Sequence, residues 1–322
     1  MKTIRLTHPH HLKKEEVPKV VMALGFFDGV HKGHQKVIQT ALQKAEEMNV
    51  ECAVMTFHPH PSIVLQKDVQ DVEYITPLKE KEKLIESLGV DRLYLVEFTK
   101  SFSALSPQDF VDQYLIGLRA IHVVAGFDFT YGRCGKGTME TMPQHSRGAF
   151  TQTTVEKLTD GDKKISSSLI RKALHNGDVF YACHLLGRPY QVIGKVIHGE
   201  KRGRTIGFPT ANIELSEQYL IPRTGVYAVT VRIGQEELRG VCNIGYKPTF
   251  HDDQPEKPSI EVHIFDFQRS IYHETVTIKW CKRLRSEQKF AGVQELISQI
   301  KKDKDEALLF FEKFSDSPCF LK

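Results

Sequence analysis

Two histidines with the spacing of a ligand-binding pair lie between Leu24 and His34, in the stretch Leu-Gly-Phe-Phe-Asp-Gly-Val-His-Lys-Gly-His. His31 and His34 are three residues apart at the predicted start of a helix, so both side chains can face one ligand. Three glycines in the same stretch allow the backbone to approach that ligand closely. We therefore expect this stretch to bind the polyphosphate of a nucleotide.

The elements on either side of this stretch support a phosphate site. Residues 20–24 are all apolar and predict a buried strand, and apolar residues at helical spacing predict a helix over 34–48. A turn from a strand into a helix presents free backbone N–H groups and the positive end of the helix dipole. Both features favour an anion at this position.

Two other interpretations of the histidines stay open at this point. Together with Asp28 they resemble part of a divalent-metal site, although no third His or Cys and no paired carboxylates stand at ligand spacing. They are also compatible with ordinary surface histidines at a helix cap. A glycine-rich turn alone is a weak signal, because α/β folds need such turns for other reasons.

The composition is that of a globular protein that acts on small anionic ligands. The chain has 322 residues, of which 40% are hydrophobic and 26% are charged, and its net charge is +4. No apolar run approaches the roughly 20 residues of a membrane span, and the N-terminus lacks the apolar core of a signal peptide. Six cysteines without a Cys-x-x-Cys pair predict reduced thiols. We expect a cytoplasmic monomer or weak homo-oligomer without nucleic-acid or membrane partners.

The first half of the chain alternates strands with helices. Further strands are predicted over 51–57, 92–96 and 122–125. Helices are predicted from Thr76, as N-cap, to Leu88 and again from Ser106. This alternation is typical of a Rossmann-like α/β domain with a parallel sheet, whose ligands bind at the carboxyl ends of the strands.

Two segments in this half are candidates for ligand binding. The segment Phe57 to Pro61 predicts a stiff loop after a strand, since its two prolines interrupt both strand and helix. The segment Ile165 to Arg171 reads Ile-Ser-Ser-Ser-Leu-Ile-Arg and leads into a helix. Ser166 as N-cap is by itself a sufficient structural reason for the serines. Paired with the histidines, the hydroxyls and Arg171 favour a clamp on the far phosphates of a triphosphate.

Four motifs therefore stand in order: Gly-Phe-Phe-Asp-Gly-Val-His-Lys-Gly-His, Phe-His-Pro-His-Pro, Gly-Phe-Asp-Phe-Thr-Tyr-Gly and Ile-Ser-Ser-Ser-Leu-Ile-Arg. The first contains the HxGH signature of the nucleotidyltransferase superfamily, and together they resemble the FMN adenylyltransferase module of bacterial bifunctional FAD synthetases. Class I aminoacyl-tRNA synthetases share the histidine motif, but we find neither a Lys-Met-Ser-Lys-Ser-like loop nor a tRNA-binding domain.

The resemblance implies residue roles in adenylyl transfer. The phosphate of FMN would attack the α-phosphorus of ATP, and His31 and His34 would donate hydrogen bonds to the α-phosphate. Ser166, Ser168 and Arg171 would hold the β- and γ-phosphates. The other implied ATP contacts are Gly25, Phe26, Asp28 and Gly33, and the implied flavin contacts are Phe57, His60, Pro61 and Asp128.

The second half has a different pattern. Short strands are predicted over 190–197, 226–233, 238–244, 260–267 and 275–280. Glycine and proline separate them, which is typical of an antiparallel barrel or sandwich. A last helix over 292–314 is expected to pack on the barrel. We place the domain boundary between an α/β domain, 1–186, and a barrel domain, 187–322.

Two features of the second half have the residue types for chemistry. The segment 199–212 mixes basic residues with glycine, which suits a polyphosphate, and Thr210 and Asn212 offer neutral oxygens for Mg²⁺. Strand alternation places Glu261 and His263 on one face of their strand. From composition alone, a solvated hairpin loop with a charge run is the favoured explanation of the first, and an ordinary half-exposed strand also explains the second.

Four motifs of this half, in order, are Gly-Phe-Pro-Thr-Ala-Asn, Asn-Ile-Gly-Tyr-Lys-Pro-Thr-Phe, Glu-Val-His-Ile-Phe-Asp-Phe and Arg-Leu-Arg-Ser-Glu-Gln-Lys-Phe. Together they resemble riboflavin kinase. The resemblance implies that Glu261 takes the proton from the 5′-hydroxyl of riboflavin as this oxygen attacks the γ-phosphate of ATP. Thr210 and Asn212 would hold Mg²⁺. Arg285 would contact the flavin, and the implied ATP contacts are Gly199, Arg204 and Gly207.

The resemblance as a whole implies an enzyme that makes FMN from riboflavin and ATP and then FAD from FMN and ATP. Two alternatives remain at this point. One is an enzyme in which a single domain is active and the other is a scaffold. The other is a flavin-responsive regulatory protein without turnover, which would need neither Glu261 nor the two histidines.

Overall fold

The structure is a computed structural model that describes residues 1–66, 68, 71–199, 202–246 and 258–314. The chain divides into two compact units, Met1–Ser166 and Ser167–Lys322. Parts of two predicted motifs, residues 200–201 and 247–250, lie outside the described residues, as does Cys319.

The first unit is built on a six-stranded parallel sheet. Its strands are β1 (Lys2–Leu6), β2 (Val20–Leu24), β3 (Glu51–His58), β4 (Arg92–Glu97), β5 (Ala120–Gly126) and β8 (Thr151–Val155). They lie in the order β1-β4-β3-β2-β5-β8, and every neighbouring pair is parallel. Two small hairpins complete the strands, formed by β6 (Thr130–Tyr131) with β7 (Gly137–Thr138) and by β9 (Thr159–Asp160) with β10 (Lys163–Lys164).

Helices cover both faces of this sheet. They are α1 (Lys32–Glu47), α2 (Pro61–Leu65), α3 (Leu78–Ser87), α4 (Lys100–Ser103), α5 (Pro107–Phe110) and α6 (Met142–Ser146), with a π-helical turn at Val111–Ile116 and 3₁₀ turns at Lys14–Glu16 and Arg133–Gly135. Alternate residues of β2 enter two separate cores. Met22 packs in one core with Tyr114, and Ala23 packs in the other with Ile38 of α1. The predicted α/β fold with a covered parallel sheet is therefore confirmed.

Two local predictions for this unit are wrong. Thr76 is not the N-cap of α3, because Pro77 occupies that position and Thr76 is fully buried. The Phe57–Pro61 segment is not simply a loop. It leads directly into α2, in which Pro61 stands at the first turn and the ring of His60 accepts the N–H of Ser62. Proline lacks an N–H that the first turn does not need, so it starts this helix rather than preventing it.

The second unit contains a closed antiparallel barrel. Its strands are β11 (Tyr190–Ile197), β12 (Ala211–Leu215), β13 (Gly225–Ile233), β14 (Glu236–Gly245), β15 (Ser259–Ile264) and β16 (Thr275–Arg285), in the order β11-β12-β15-β14-β13-β16. The helices are α7 (Ser167–His175), α8 (Val179–Leu186), α9 (Arg202–Thr205) and α10 (Val293–Lys313). The barrel and its C-terminal helix confirm the predicted fold. Strand β12 was not predicted, because the basic and glycine residues before it suggested a loop.

The C-terminal helix is held on the barrel by an apolar contact and an ion pair. Ala307, Phe310 and Phe311 of α10 join a buried cluster with residues of β13, β14 and β16. Arg285, at the end of β16, binds the buried carboxylate of Asp303 in a bidentate manner, with N–O distances of 2.8 and 2.7 Å. The guanidinium predicted to contact flavin therefore has a protein partner on α10.

Two general predictions can be compared with the described residues. In that part of the chain no helix is long and apolar enough to cross a membrane. The expectation of reduced thiols holds for Cys52, Cys134, Cys242 and Cys281, which are free. It is wrong at Cys183, which is disulfide-bonded. Sequence spacing does not indicate which cysteines the fold brings together, so the absence of a Cys-x-x-Cys pair was insufficient grounds for that prediction.

Candidate active sites

The two histidines of the first unit lie where β2 ends and α1 begins. His31 is the N-cap of α1, and its Nδ1 accepts the backbone N–H of His34 at 3.2 Å. The two rings stack with centroids 3.5 Å apart. Because Nδ1 of His31 is an acceptor, the neutral ring carries its proton on Nε2. The N-cap contact thus fixes His31 as a donor through Nε2, at the positive end of a 16-residue helix.

The loop that leads to these histidines, residues 25–34, has an unusual backbone. Phe27 and Val30 have φ of +55° and +39°, a region that side chains and especially β-branched ones rarely adopt. A Cβ at Gly25 would come within 2.8 Å of the Phe27 ring, and one at Gly33 would come within 3.1 Å of the His31 ring. Surrounding contacts must hold this strained conformation, and the glycines are required for it.

Buried polar contacts hold the loop in place. Asp28 is only 4% exposed, and its Oδ1 accepts the backbone N–H of Thr76 at 3.1 Å. The hydroxyl of Thr56 on β3 donates to the carbonyl of Phe26 at 2.8 Å. Asp28 therefore stabilises the loop from within and is not placed as a surface carboxylate.

The residues predicted to contact flavin form two groups. Phe57 lies half-buried among aromatic rings, with Phe102 at a centroid distance of 5.7 Å, and the ring of His60 contacts that of Phe26 at 4.7 Å. Pro61 follows directly as the first residue of α2. Asp128 lies elsewhere in the loop after β5, exposed and ion-paired with Lys164.

The serine-rich motif spans the end of the first unit and the start of the second. A Cβ at Gly33 would be 3.5 Å from the carbonyl of Ile165, so the start of the motif approaches the histidine loop within the first unit. Ser166 is the last residue of that unit. Ser168 and Arg171 belong to α7 of the second unit.

In the barrel, three polar side chains stand in register on neighbouring strands. Glu261 of β15 pairs with Asn212 of β12 on one side and with Asn243 of β14 on the other. Directly paired residues of antiparallel strands carry side chains about 5 Å apart on the same face. The predicted alternation of β15 is confirmed, since Ile260 and Val262 are buried while Glu261 is half-buried. Asn243 was not singled out from the sequence, because its neighbour in space is 18 residues away and the register was unknown.

The described part of the segment 199–212, which was predicted to bind phosphate, lies next to the row formed by Asn212, Glu261 and Asn243. The backbone at Gly199 lies directly on the Asn212 amide, since a Cβ there would be 2.1 Å from its nitrogen. Gly207 has φ of +85°. His263, two residues after Glu261, binds the carbonyl of Pro209 through Nδ1 at 2.8 Å. Arg204 is exposed, so its guanidinium is accessible to a ligand.

The oxygen donors of this region fit Mg²⁺. An amide and a carboxylate lie in register here, since Asn212 pairs with Glu261, and the exposed Thr210 hydroxyl stands two residues before Asn212 in the chain. Within the described residues no group of three or more His, Cys, Asp or Glu side chains could form a metal cage. Mg²⁺ does not need such a cage, because it usually takes one or two protein oxygens together with substrate phosphates and water.

The charge of Glu261 also affects a neighbouring thiol, that of Cys242. Cys242 is fully enclosed next to Asn243 on β14, and burial together with the nearby charge of Glu261 raises the pKa of the thiol well above its usual value. Cys242 is therefore a neutral thiol at physiological pH and has no nucleophilic role.

Comparison with known proteins assigns each half of the chain to a family. The sequence model of the FAD synthetase family matches residues 13–169, and that of riboflavin kinase matches residues 186–311. The bifunctional riboflavin kinase/FMN adenylyltransferase of Bacillus subtilis is 60% identical over 311 residues, which cover 97% of this chain and 98% of the relative. The protein of the same name from Listeria monocytogenes is 51% identical over 316 residues, covering 98% and 100%.

A solved structure matches the fold of the whole chain. The crystal structure described as a macrolide-efflux protein from Streptococcus pneumoniae aligns with a TM-score of 0.87 and 36% identity, covering 96% of this chain and 99% of its own. The word efflux describes that protein and is not carried over to this chain. Both family models and the curated relatives name flavin enzymes.

A nucleotidyltransferase-like α/β unit followed by a flavokinase barrel defines a two-domain transferase of flavin-cofactor synthesis. The chain belongs to the family of bifunctional riboflavin kinase/FMN adenylyltransferases, and it has both activities. The resemblance inferred from the sequence motifs is confirmed in both halves.

Proposed function

We propose that the two activities use two separate ATP sites and act in succession on one flavin, first at the barrel and then at the histidine loop. The observation that supports this best is that the two clusters, Glu261 with Asn212 and His31 with His34, lie in different compact units. Riboflavin and ATP would yield FMN at the first cluster. FMN and a second ATP would yield FAD and pyrophosphate at the second.

For the kinase reaction, we propose Glu261 as the general base. Its carboxylate takes the proton of the ribityl 5′-hydroxyl while that oxygen attacks the γ-phosphorus and ADP leaves. An ionised carboxylate is a weak base, and general-base help is typically worth about 10²–10⁴-fold. Most of the acceleration therefore comes from positioning and charge neutralisation. Thr210 and Asn212 would hold Mg²⁺, which when bound neutralises charge on the phosphate oxygens.

For adenylyl transfer, we propose that no base is required, because the phosphate of FMN is already ionised near neutral pH. Its oxygen attacks the α-phosphorus of ATP, and pyrophosphate leaves. His31, donating from Nε2, and His34 stabilise the charge that develops on the α-phosphate. The N-cap contact supports this role for His31, because it sets the tautomer before the substrate binds.

The remaining site assignments rest on the motifs and are proposed with them. Phosphate contacts in the adenylyltransferase site would come from Gly25, Phe26, Asp28, Gly33, Ser166, Ser168 and Arg171, and in the kinase site from Gly199, Arg204 and Gly207. Asp28 would act indirectly, since it is buried beneath the loop. The flavin contacts would be Phe57, His60, Pro61 and Asp128 in the first site and Arg285 in the second.

We also propose functional modules of 1–186 and 187–322, because the serine-rich motif is part of the adenylyltransferase motif set. The compact units divide earlier, after Ser166. Cytoplasmic location and a monomer or weak homo-oligomer, without nucleic-acid or membrane partners, are proposed from the composition and net charge of +4.

The direct test incubates the purified chain with riboflavin, ATP and Mg²⁺ and separates the flavins by chromatography. We expect FMN to rise first and FAD to follow. An excess of chelator should stop FMN formation, because the γ-phosphate then loses its counter-charge, and added Mg²⁺ should restore it. FMN formation at an undiminished rate in chelator would exclude the proposed metal site, and accumulation of a single product would exclude the two-step assignment.

A further inference from the structure

Helix α3 of the first unit contains a lysine that is almost completely enclosed. Lys81 is 1% exposed, whereas Lys79 and Lys83 of the same helix are exposed to solvent. Burying an ammonium group is costly unless polar partners replace water. The predicted helix from Thr76 to Leu88 does not single out Lys81, so its enclosed position requires an explanation from the structure.

The ammonium of Lys81 reaches the histidine loop. Its Nζ donates to the carbonyl oxygen of Phe26 at 2.9 Å and lies 4.3 Å from the centroid of the Phe26 ring. The hydroxyl of Thr56 on β3 donates to the same carbonyl oxygen. Two donors therefore fix the peptide plane that joins Phe26 to Phe27. Phe27 is the first residue of the loop with a left-handed backbone, so this plane determines how the strained segment begins.

Asp28 connects the same lysine to the next part of the loop. Its buried carboxylate interacts favourably with the Lys81 charge, and it accepts the backbone N–H of Thr76 just before α3. Lys81 thus holds residues 26–28 at the Phe26 carbonyl, and Asp28 holds them at the backbone of Thr76. His31, the N-cap of α1, follows three residues later.

We propose that Lys81 is a positioning residue of the adenylyltransferase site, which holds residues 26–28 so that the loop presents His31 to the α-phosphate. The inference rests on the proposed role of His31. The charged form of Lys81 is the active form, because the ammonium donates to Phe26 and faces Asp28. A neutral amine would keep a weaker hydrogen bond and lose the attraction to Asp28.

This role makes adenylyl transfer depend on pH. Burial lowers the pKa of Lys81 to about 8, although Asp28 opposes the shift. The groups that face the ammonium are Asp28 in the loop and His58 at the end of β3, whose own pKa is lowered by burial and then by Lys81. Because the protonated lysine is required, FAD formation from FMN should decline as pH rises through about 8.

The test compares Lys81→Met and Lys81→Arg with Lys83→Met, a matched exposed lysine on the same helix. We expect Lys81→Met to lower kcat for FAD formation by about 10²-fold, as a displaced catalytic group does, with unchanged riboflavin phosphorylation. Lys83→Met should match the wild type. The alkaline decline of the wild type should be absent in Lys81→Arg, whose guanidinium stays charged.

Two results would overturn the inference. One is that folded Lys81→Met forms FAD at a rate within about twofold of the wild type. His31→Ala is measured in parallel. If only His31→Ala loses activity, the proposed function stands and Lys81 has no positioning role. The other is a wild-type pH profile without a decline above pH ~8, which needs no variant to fold. If His31→Ala also retains activity, the proposed site itself is wrong.

Discussion

Replacing His31 by alanine is expected to lower the rate of FAD formation from FMN by more than about 10²-fold and to leave riboflavin phosphorylation at its wild-type rate. The substitution removes the Nε2 donor that the N-cap contact with His34 prepares. Losing one such donor typically costs about 3 kcal/mol in the transition state, which is roughly 10²-fold in rate. The stacked ring of His34 also loses its support, so the total effect should be larger.

The measurement supplies FMN or riboflavin separately with ATP and Mg²⁺ and follows each product. His11→Ala is the matched control, since His11 is an exposed histidine of the same unit. His31→Ala should lose about 1 kcal/mol of stability because the N-cap contact of α1 is removed, so the folding of this variant is checked by thermal melting. An equal fall of both activities in a folded protein would contradict the assignment of His31 to one site.

Replacing Glu261 by glutamine is expected to lower the rate of FMN formation by about 10²–10⁴-fold, because the proton of the ribityl hydroxyl loses its acceptor. Glutamine has the same shape, so the row with Asn212 and Asn243 should persist and riboflavin binding should remain. Conversion of added FMN to FAD should be unaffected.

Glu214→Gln provides the comparison, because Glu214 is an exposed glutamate of β12, two residues beyond Asn212. Riboflavin binding is followed by flavin fluorescence and phosphorylation by the appearance of FMN. Normal phosphorylation by Glu261→Gln would remove the carboxylate from the mechanism. Loss of riboflavin binding would instead assign it to substrate recognition.

The parts of the fold and of the sites that depend on local sequence were predictable. Strand β2, a glycine-rich turn and a helix with His31 at its start follow from residues that are adjacent in the chain. The two faces of β15 follow from period-two alternation, which placed Glu261 opposite Ile260 and Val262.

The parts that depend on distant residues were not predictable. Asn243 becomes a neighbour of Glu261 only through the register of β14 with β15. Lys81 lies 55 residues from the carbonyl that it binds, and a lysine in a polar helix is usually solvated. Arg285 pairs with Asp303 of α10, a partner 18 residues away that its motif does not indicate. In each case topology, which periodicity does not encode, decided the partner.

The central claim, that the two reactions use independent sites, is tested most directly by mixing the two variants. His31→Ala and Glu261→Gln are combined in one solution with riboflavin, ATP and Mg²⁺, and FAD is measured. We predict that FAD forms, because each variant supplies the intact site that the other lacks and FMN can pass between them through solution. If FAD stayed absent while each variant kept its single activity, the two sites would not be independent.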